Sequence, residues 1–504
     1  MASIRHTSSR VNNTRRRTNL SILAPTDFGL VAIAMSVVSV MESALDMPVN
    51  QALLQLQTIT GPQYDTAFTL SLMRGLVLSL LVLLIAWPFA QFYSDDRLKL
   101  LVCFLSLAPT ARGLISPRLA EFQKGLSFWR DFALELGGKL TAFAVGVTVA
   151  LITGSYWSIA AGMVIFPLAG TIGSYILAPY RPRLSLSALG LFTGFIGWMS
   201  VAQIVGALNW QFERLLLGKL TTATRLGLFT ASSDVASIPF MAFFGPVIRP
   251  LLAAFSHIRD DPKRLGQSYL SASNAIVAVG LPVLVGESLV ADPIVRLILG
   301  EKWLGAISLV HWLALSLIPA LLALPAAPLV MSFGQTRMFL FRSFIELGVK
   351  FPIALIGAIE FGFPGIIAAR LVSELVASSY SIIVVRRFTG LSALDQILVS
   401  WRCAVATAVM VPPVLLCLRL VGSGTGPVHA AFSLFCVGAT GAAVYVSVIG
   451  LLWLMSGRPA GVEAMAVRVI TNSLDKVGRP RWLAFRFGIR AHRPATVPKE
   501  GSQF

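Results

Sequence analysis

Charged residues are scarce in this sequence of 504 residues, where they make up 13% of the chain. A soluble domain carries about 25% charged residues. Hydrophobic residues make up 56%, and the mean hydropathy is +0.76. A soluble core cannot hide that much apolar surface from water, so the composition predicts an integral membrane protein.

Cysteine and histidine are also rare, and neither forms a motif. The four cysteines, Cys103, Cys403, Cys417 and Cys436, lie in or beside apolar runs and form no CxxC pair. The five histidines are scattered, without an HExxH spacing. These patterns exclude a disulfide framework and give no metal site, so we predict no metal or other cofactor.

Acidic residues are few beside basic ones, 23 against 41, which gives a net charge of +18. The basic residues fall mostly in loops and tails between apolar runs. In a membrane protein this pattern indicates the cytoplasmic bias of Lys and Arg and attraction to anionic lipid headgroups. Nucleic acid is therefore not predicted as a partner.

The apolar runs predict an all-α protein, because a bilayer core needs about 20 apolar residues per helix. We predict thirteen transmembrane helices, near 28–46, 66–92, 98–117, 131–152, 156–178, 186–208, 226–247, 270–293, 304–332, 340–359, 364–385, 402–420 and 428–456. Prolines at 319, 325 and 328 predict breaks in the ninth. Alternate loops are rich in arginine, which places them, and the tail at 457–504, on the cytoplasmic side.

The N-terminus conflicts with this topology. Residues 1–20 carry five arginines and no acid, yet the first predicted helix should begin on the far side. We expect that a helix preceding 28–46 is missing from the chain, and we treat 1–27 as a basic, atypical N-terminus.

The C-terminal segment RPRWLAFRFGIR alternates arginines with aromatic residues. That pattern predicts an interfacial helix on anionic lipid; a disordered basic tail is the alternative.

Two stretches suggest an internal repeat. ELGGK at 135–139 and ELGVK at 346–350 each lie at the cytoplasmic end of an apolar run, 211 positions apart. Further upstream, Gly29-Leu30 with Pro48 matches Gly227-Leu228 with Pro246, at an offset of 198. The repeat predicts an N-terminal lobe of five helices at 28–180, a C-terminal lobe of six at 186–388 and two extra helices at 402–456. Two such lobes are a transporter architecture with the site between them.

The paired charges in these stretches are the first candidate site residues. Glu135 with Lys139, and Glu346 with Lys350, face one side of a helix at i and i+4. Pairing reduces the cost of placing charge in a membrane. We predict that both pairs line a polar cavity, with the lysines binding substrate and the glutamates available for ion or proton coupling. The alternative is that they reach out to the membrane interface.

Four further charged residues lie in apolar surroundings. Arg74 and Arg214 would suit an anionic substrate such as a diphosphate, and Glu213 and Asp234 are further coupling candidates. The alternatives are that Arg214 is neutralised by Glu213 or contacts a headgroup, that Arg74 lies at a helix end, and that Asp234 is a helix-packing acceptor.

Several segments together resemble a known family: LAPTDFGLVAIA (23–34), YWSIAAG (156–162), NWQFERLLLGKLTTATRLGLFTASSDVASIP (209–239), PVIRPLLAAFSHIRDDPKRLGQSYL (246–270) and ADPIVRLILGEKWLGA (291–306). They are similar to the polysaccharide transporter family of the multidrug/oligosaccharidyl-lipid/polysaccharide flippase superfamily. The resemblance implies two six-helix lobes with two C-terminal helices, and a cationic cavity, which favours Lys139, Arg214 and Lys350.

The resemblance also implies a function. Family members export polyisoprenyl-diphosphate-linked oligosaccharides across the bacterial inner membrane for lipopolysaccharide or exopolysaccharide synthesis. The implied partners are that lipid, and a polysaccharide polymerase and glycosyltransferases acting beside it. This class is a transporter and not an enzyme.

Two alternatives remain at this stage. A drug/cation antiporter of the same superfamily would want a less basic interior. A polymerase or glycosyltransferase would want acids near a large extramembrane site, whereas the Asp-Asp pairs at 95–96 and 260–261 lie in short turns and predict turn or cap residues.

Overall fold

The computed structural model describes residues 24–45, 49, 53, 59–124, 129–422 and 426–457, and their regular structure is helical throughout. Up to Val448 they form one compact unit, and a second begins at Ile449. The helices of the first half are α1 Pro25–Ala44, α2 Gly61–Tyr93, α3 Arg97–Leu105, α4 Leu107–Gly113, α5 Leu119–Lys124, α6 Trp129–Thr153 and α7 Trp157–Leu177.

The remaining helices follow in the same order along the chain. They are α8 Gly190–Leu220, α9 Ala223–Phe244, α10 Ile248–Ile258, α11 Pro262–Leu289, α12 Ala291–Ile298, α13 Ile307–Ser316, α14 Ile318–Ala323, α15 Ala326–Ser332, α16 Thr336–Glu360, α17 Phe363–Thr389, α18 Ala393–Leu398, α19 Trp401–Val421 and α20 Pro427–Met455. A 3-10 turn, Glu301–Ala306, precedes α13.

Ten stretches among the described helices are long and apolar enough to cross a membrane. Of the thirteen predicted spans, 98–117 is divided at Ser106 into α3 and α4. The span at 340–359 lies in α16, which carries several charges, and 186–208 overlaps α8, which begins at Gly190. The multi-pass, all-helical prediction is confirmed, and thirteen spans stays a prediction.

Helix boundaries follow local signals in the sequence. Pro25 begins α1, and the Asp27 carboxylate accepts from the backbone N–H of Ala24 at 3.0 Å. Pro319 lies in the first turn of α14 and Pro325 immediately precedes α15. The predicted breaks in the 304–332 span are therefore confirmed.

The two Asp-Asp pairs have local roles. The Arg97 side chain donates to Asp95 at 3.0 Å, which lowers the pKa of that carboxyl below its ordinary value. Asp261 accepts from the backbone N–H of Arg264 at 3.1 Å and caps α11. The predicted turn and cap roles are confirmed for Asp95 and Asp261.

Packing in the first unit is organised around helix pairs. α6 packs on α7, α16 packs on α17, and α1 packs on both α8 and α9. The largest buried apolar cluster joins Leu30 of α1 and Val82 of α2 to Leu226 of α9 and Leu313 of α13. The two halves of the sequence therefore share one core around α1.

The contact between α1 and α9 is unusually close and is reciprocal. A Cβ added to Gly29 would lie 1.8 Å from the Ala223 carbonyl oxygen, and one added to Gly227 would lie 1.7 Å from the Pro25 carbonyl oxygen. Gly227 lies 198 positions after Gly29, and Ala223 lies 198 positions after Pro25, which is the offset of the sequence repeat. Each contact is therefore the counterpart of the other. A duplicated bundle with a two-fold relation would make each such contact twice.

Candidate functional site

A cavity of about 510 Å³ lies in the second half of the chain, bounded by α8, α9, α13 to α15, α16 and α17. Its lining includes seven charged side chains: Glu213, Arg214, Arg342, Glu346, Lys350, Arg370 and Glu374. Charged residues within membrane spans are costly and usually face a bundle interior or an aqueous cavity. This cavity is our candidate functional site.

Helical spacing brings three of these charges onto one face of α16. Lys350 Nζ lies 3.0 Å from Glu346 Oε1, and Arg342 Nη1 lies 3.2 Å from Glu346 Oε2. Each pair is separated by four residues, which places both side chains on the same side of the helix. Lys350 is buried and also donates to the Asn209 carbonyl oxygen at 3.4 Å.

α17 and α8 extend this set of ion pairs. Arg342 Nη2 lies 2.6 Å from Glu374 Oε1. Arg370 Nη1 lies 3.8 Å from Glu213 Oε2 and donates to the Ser233 hydroxyl at 3.3 Å. The distance between Arg370 and Glu213 exceeds that of a hydrogen bond, so Arg370 is the most loosely neutralised cation lining the cavity.

Arg214 lies at the edge of the same site. It lines the cavity and pairs with Asp234 across α8 and α9, Nη2 to Oδ1 2.5 Å. The two side chains are 14% and 57% exposed. Arg214 is therefore neutralised by Asp234 and not by Glu213, the partner considered from the sequence.

Five of the eight predicted site residues thus lie together at this cavity or its edge: Glu213, Arg214, Asp234, Glu346 and Lys350. Arg342, Arg370 and Glu374 were not among the site residues predicted from the sequence. The spacing that identified Glu346 with Lys350 also points to these residues. Arg342 with Glu346, and Arg370 with Glu374, are opposite charges four residues apart in apolar runs.

The matching pair in the first half has a different environment. Lys139 Nζ lies 2.6 Å from Glu135 Oε1, but the side chains are 63% and 62% exposed. Among the described residues α6 packs on α7 and α5, whereas α16 also packs on α8. The same sequence pattern is buried on α16 and open on α6 because only α16 has that additional neighbour.

Lys139 does line a second cavity, of about 760 Å³, between α1, α6, α7 and the Glu301–Ala306 turn. Arg112 also lines it and pairs with Glu42. Arg74 lines neither of these two cavities and donates to the Glu42 carbonyl oxygen at 3.2 Å. The structure therefore places Lys139 and Arg74 apart from the cluster around Lys350.

Comparison with known proteins decides the family. A family model described as "Polysaccharide biosynthesis protein" matches residues 21–308, more than half of the chain. The chain belongs to this polysaccharide biosynthesis family. The family resemblance of the sequence segments is thereby confirmed.

Curated relatives in the family carry related names. Over 398 residues, the chain is 23% identical to the lipopolysaccharide biosynthesis protein WzxC of Escherichia coli (strain K12), covering 74% of this chain and 77% of that protein. It is 22% identical over 297 residues to the succinoglycan biosynthesis transport protein ExoT of Rhizobium meliloti (strain 1021), covering 58% and 60%.

Solved structures confirm the fold. The lipid II flippase MurJ in an inward closed conformation matches with a TM-score of 0.67 at 12% identity, over 86% of this chain and 94% of MurJ. An inward-facing multidrug resistance MATE family transporter of the MOP superfamily matches with a TM-score of 0.57 at 12% identity, over 73% and 91%. This family member therefore has the fold of that superfamily, as the sequence predicted.

Proposed function

We propose that this protein moves polyisoprenyl-diphosphate-linked oligosaccharides from the inner to the outer leaflet of the bacterial inner membrane, for surface polysaccharide synthesis. The observation that carries the proposal is the cavity of about 510 Å³ with four cations among membrane-spanning helices. Family membership and the names of the relatives point to the same class, a transporter and not an enzyme.

The cations define how a diphosphate would be held. Arg370 is the first ligand we assign, because its carboxylate partner is 3.8 Å away and its Nη1 donates to the Ser233 hydroxyl, not to a carboxylate. Lys350 and Arg342 lie on the same cavity lining and share Glu346. A diphosphate would compete with the carboxylates for these donors, and Arg offers two parallel hydrogen bonds to phosphate oxygens.

Transport would follow alternating access between the two predicted lobes. The diphosphate and its sugars enter the cavity while the polyprenyl chain stays in lipid. We propose four carboxylates for ion or proton coupling: Glu213, Glu346 and Asp234, and Glu135 in the other half. Each is paired with an Arg or Lys side chain, and it would lose that partner when the side chain binds the diphosphate.

Charge argues for a diphosphate cargo over a cationic drug. Four cations and three acids line the cavity, and a fourth acid, Asp234, pairs with Arg214 from outside the lining, so acids are not in excess. A site for a cation would need acids in excess.

We further propose that the C-terminus is cytoplasmic, that its basic tail contacts anionic headgroups, and that a polymerase and glycosyltransferases act beside this protein. The tail at 458–504 and residues 1–23 lie outside the described residues. The interfacial helix and the atypical basic N-terminus therefore stay predictions.

A gene-deletion experiment tests the function. Cells lacking the gene are expected to accumulate lipid-linked repeat units on the cytoplasmic face and to lose the surface polymer, and the wild-type gene should restore both. Normal polymer and no accumulation in the deletion strain would contradict the proposal.

Arg214 provides a point prediction in the same assay. We expect Arg214→Ala to fail to restore the polymer and Arg214→Lys to restore it in part, since lysine keeps the charge but loses the planar fork. Immunoblots of membranes should show equal protein amounts. Full restoration by Arg214→Ala would remove this residue from the transport site.

A further inference from the structure

A third cavity, of about 490 Å³, lies where α2 begins and α7 ends. Its lining includes three arginines and three tyrosines: Arg118, Arg181, Arg183, Tyr64, Tyr175 and Tyr180. Asp65 is the one acid in the same lining. The cavity therefore carries an excess of positive charge, and it is separate from the two cavities described above.

The acid in this cavity does not neutralise the arginines. The Tyr180 hydroxyl donates to Asp65 Oδ1 at 2.6 Å, and Arg118 Nη1 donates to the Pro179 carbonyl oxygen at 3.1 Å. Within the described part of the chain, the guanidinium groups of Arg181 and Arg183 make no hydrogen bond or ion pair. Two cations are thus open to an external anion.

The segment that carries these arginines is fixed in place. The Ser116 hydroxyl donates to the Ala178 carbonyl oxygen at 2.8 Å. Further along, the backbone N–H of Ser185 donates to Thr69 Oγ1 at 2.9 Å, and that of Ala188 donates to Thr66 Oγ1 at 3.2 Å. The chain between α7 and α8 is therefore held against α2, which lowers the ordering cost of binding a ligand.

The position of the cavity favours a lipid as its ligand. It lies at the ends of two helices that can span a membrane, α2 and α7. Arginines near the end of a membrane-spanning helix lie close to the phosphate groups of the lipids. Tyrosine side chains suit the membrane–water interface, because the ring is apolar and the hydroxyl is polar.

We propose that this cavity binds the phosphate of a lipid headgroup through Arg181 and Arg183, with Arg118 at its edge. Guanidinium and phosphate form short, charge-assisted hydrogen bonds, and these two arginines have donors to offer. Both an ordinary anionic phospholipid and a polyprenyl diphosphate present this chemistry. Only the second source rests on the proposed transport function.

Lipid binding to the purified full-length protein tests the site. Native mass spectrometry would follow titration with dioctanoyl phosphatidylglycerol, with undecaprenyl diphosphate, and with dioctanoylglycerol, which lacks phosphate. We expect the Arg181→Gln, Arg183→Gln double variant to weaken binding of at least one phosphate-bearing lipid by about ten-fold per lost guanidinium. Dioctanoylglycerol binding should not change.

A matched control removes equal charge elsewhere. Arg386 and Arg387 end α17, are exposed, and do not line this cavity. Arg386→Gln with Arg387→Gln should weaken binding of the phosphate-bearing lipids much less than the cavity variant does, because these two arginines do not line this cavity. Equal weakening in both double variants, or none in the cavity variant, would overturn the proposal.

The two lipid sources separate in the same titration. Weakening confined to phosphatidylglycerol supports a phospholipid site, and weakening with undecaprenyl diphosphate supports a site for the transported lipid class. Both outcomes support the cavity. Because binding is measured without transport, failure here leaves the proposed function standing, and failure of transport leaves this site standing.

Discussion

Replacing Lys350 with methionine is expected to lower the free energy of unfolding by up to about 3–5 kcal/mol, because it breaks a buried ion pair and leaves Glu346 with Arg342 alone as its partner. Lys350 is 6% exposed and lies 3.0 Å from Glu346. Transport should also fall, since Lys350 lines the cavity that we assign to the diphosphate. Thermal unfolding in detergent and polymer production in the deletion strain measure the two effects.

Lys139 supplies the matched control for stability. It has the same i,i+4 partner type but is 63% exposed. We expect Lys139→Met to cost at most about 1 kcal/mol, the usual value of an exposed ion pair. Equal destabilisation by the two substitutions would contradict the different burial of the two pairs.

A double variant separates stability from function. Glu346→Gln with Lys350→Met removes both charges of one pair, which should recover much of the lost stability. We expect that variant to remain deficient in transport, because a cation lining the cavity is still missing. Wild-type transport by the double variant would assign Lys350 a purely structural role.

Replacing Gly227 with alanine should have the second large effect, through the crossing of α1 and α9. The new Cβ would lie 1.7 Å from the Pro25 carbonyl oxygen, so two backbones must move apart. Overpacking costs about 1–3 kcal/mol and occasionally more, and the upper end applies here because backbone must move instead of a flexible side chain. Helix propensity acts in the opposite direction, since alanine is favoured over glycine by about 1 kcal/mol within a helix.

Two further alanine substitutions make this prediction specific. Gly29→Ala meets the Ala223 carbonyl oxygen at 1.8 Å and should destabilise the protein as Gly227→Ala does. Gly286→Ala in α11 meets nothing within 4 Å and should be neutral or stabilising in the same thermal unfolding measurement. If all three variants unfold alike, the close contact between α1 and α9 is wrong.

Much of the fold was available from the sequence. Apolar runs located the helices, because hydrophobic length in a membrane protein is a direct physical requirement. The offset of 198 relates the two residues that meet at the α1–α9 contact, Gly29 and Gly227. The number of membrane spans was harder to predict from the sequence. The predicted span at 98–117 is divided at Ser106, and the one at 340–359 contains ion pairs.

The candidate site was only partly accessible. Glu346 and Lys350 were identified because their spacing lowers the cost of charge within a membrane. Glu135 and Lys139 have the same spacing, yet burial differs because burial depends on which helix packs alongside. The partners of Arg370 and Arg214 lie on other helices, so no local pattern could predict them.

The charge balance of the cavity bears on how substrate would be recognised. The family resemblance favours a cationic cavity, and the lining carries four cations with three acids among them. A diphosphate that binds in this cavity would replace a carboxylate as the partner of an Arg or Lys side chain. We therefore expect the diphosphate to be recognised chiefly by the cation with the loosest partner, Arg370.

The most direct test of this account is transport by the purified protein in liposomes. An undecaprenyl-diphosphate-linked oligosaccharide placed in one leaflet should become accessible to a sugar-oxidising reagent on the other side, faster than in protein-free liposomes. An analogue with the same sugars and polyprenyl chain but without the diphosphate should move much more slowly. Equal rates for the two lipids, or no acceleration of either, would contradict a cation-lined cavity that carries the diphosphate across.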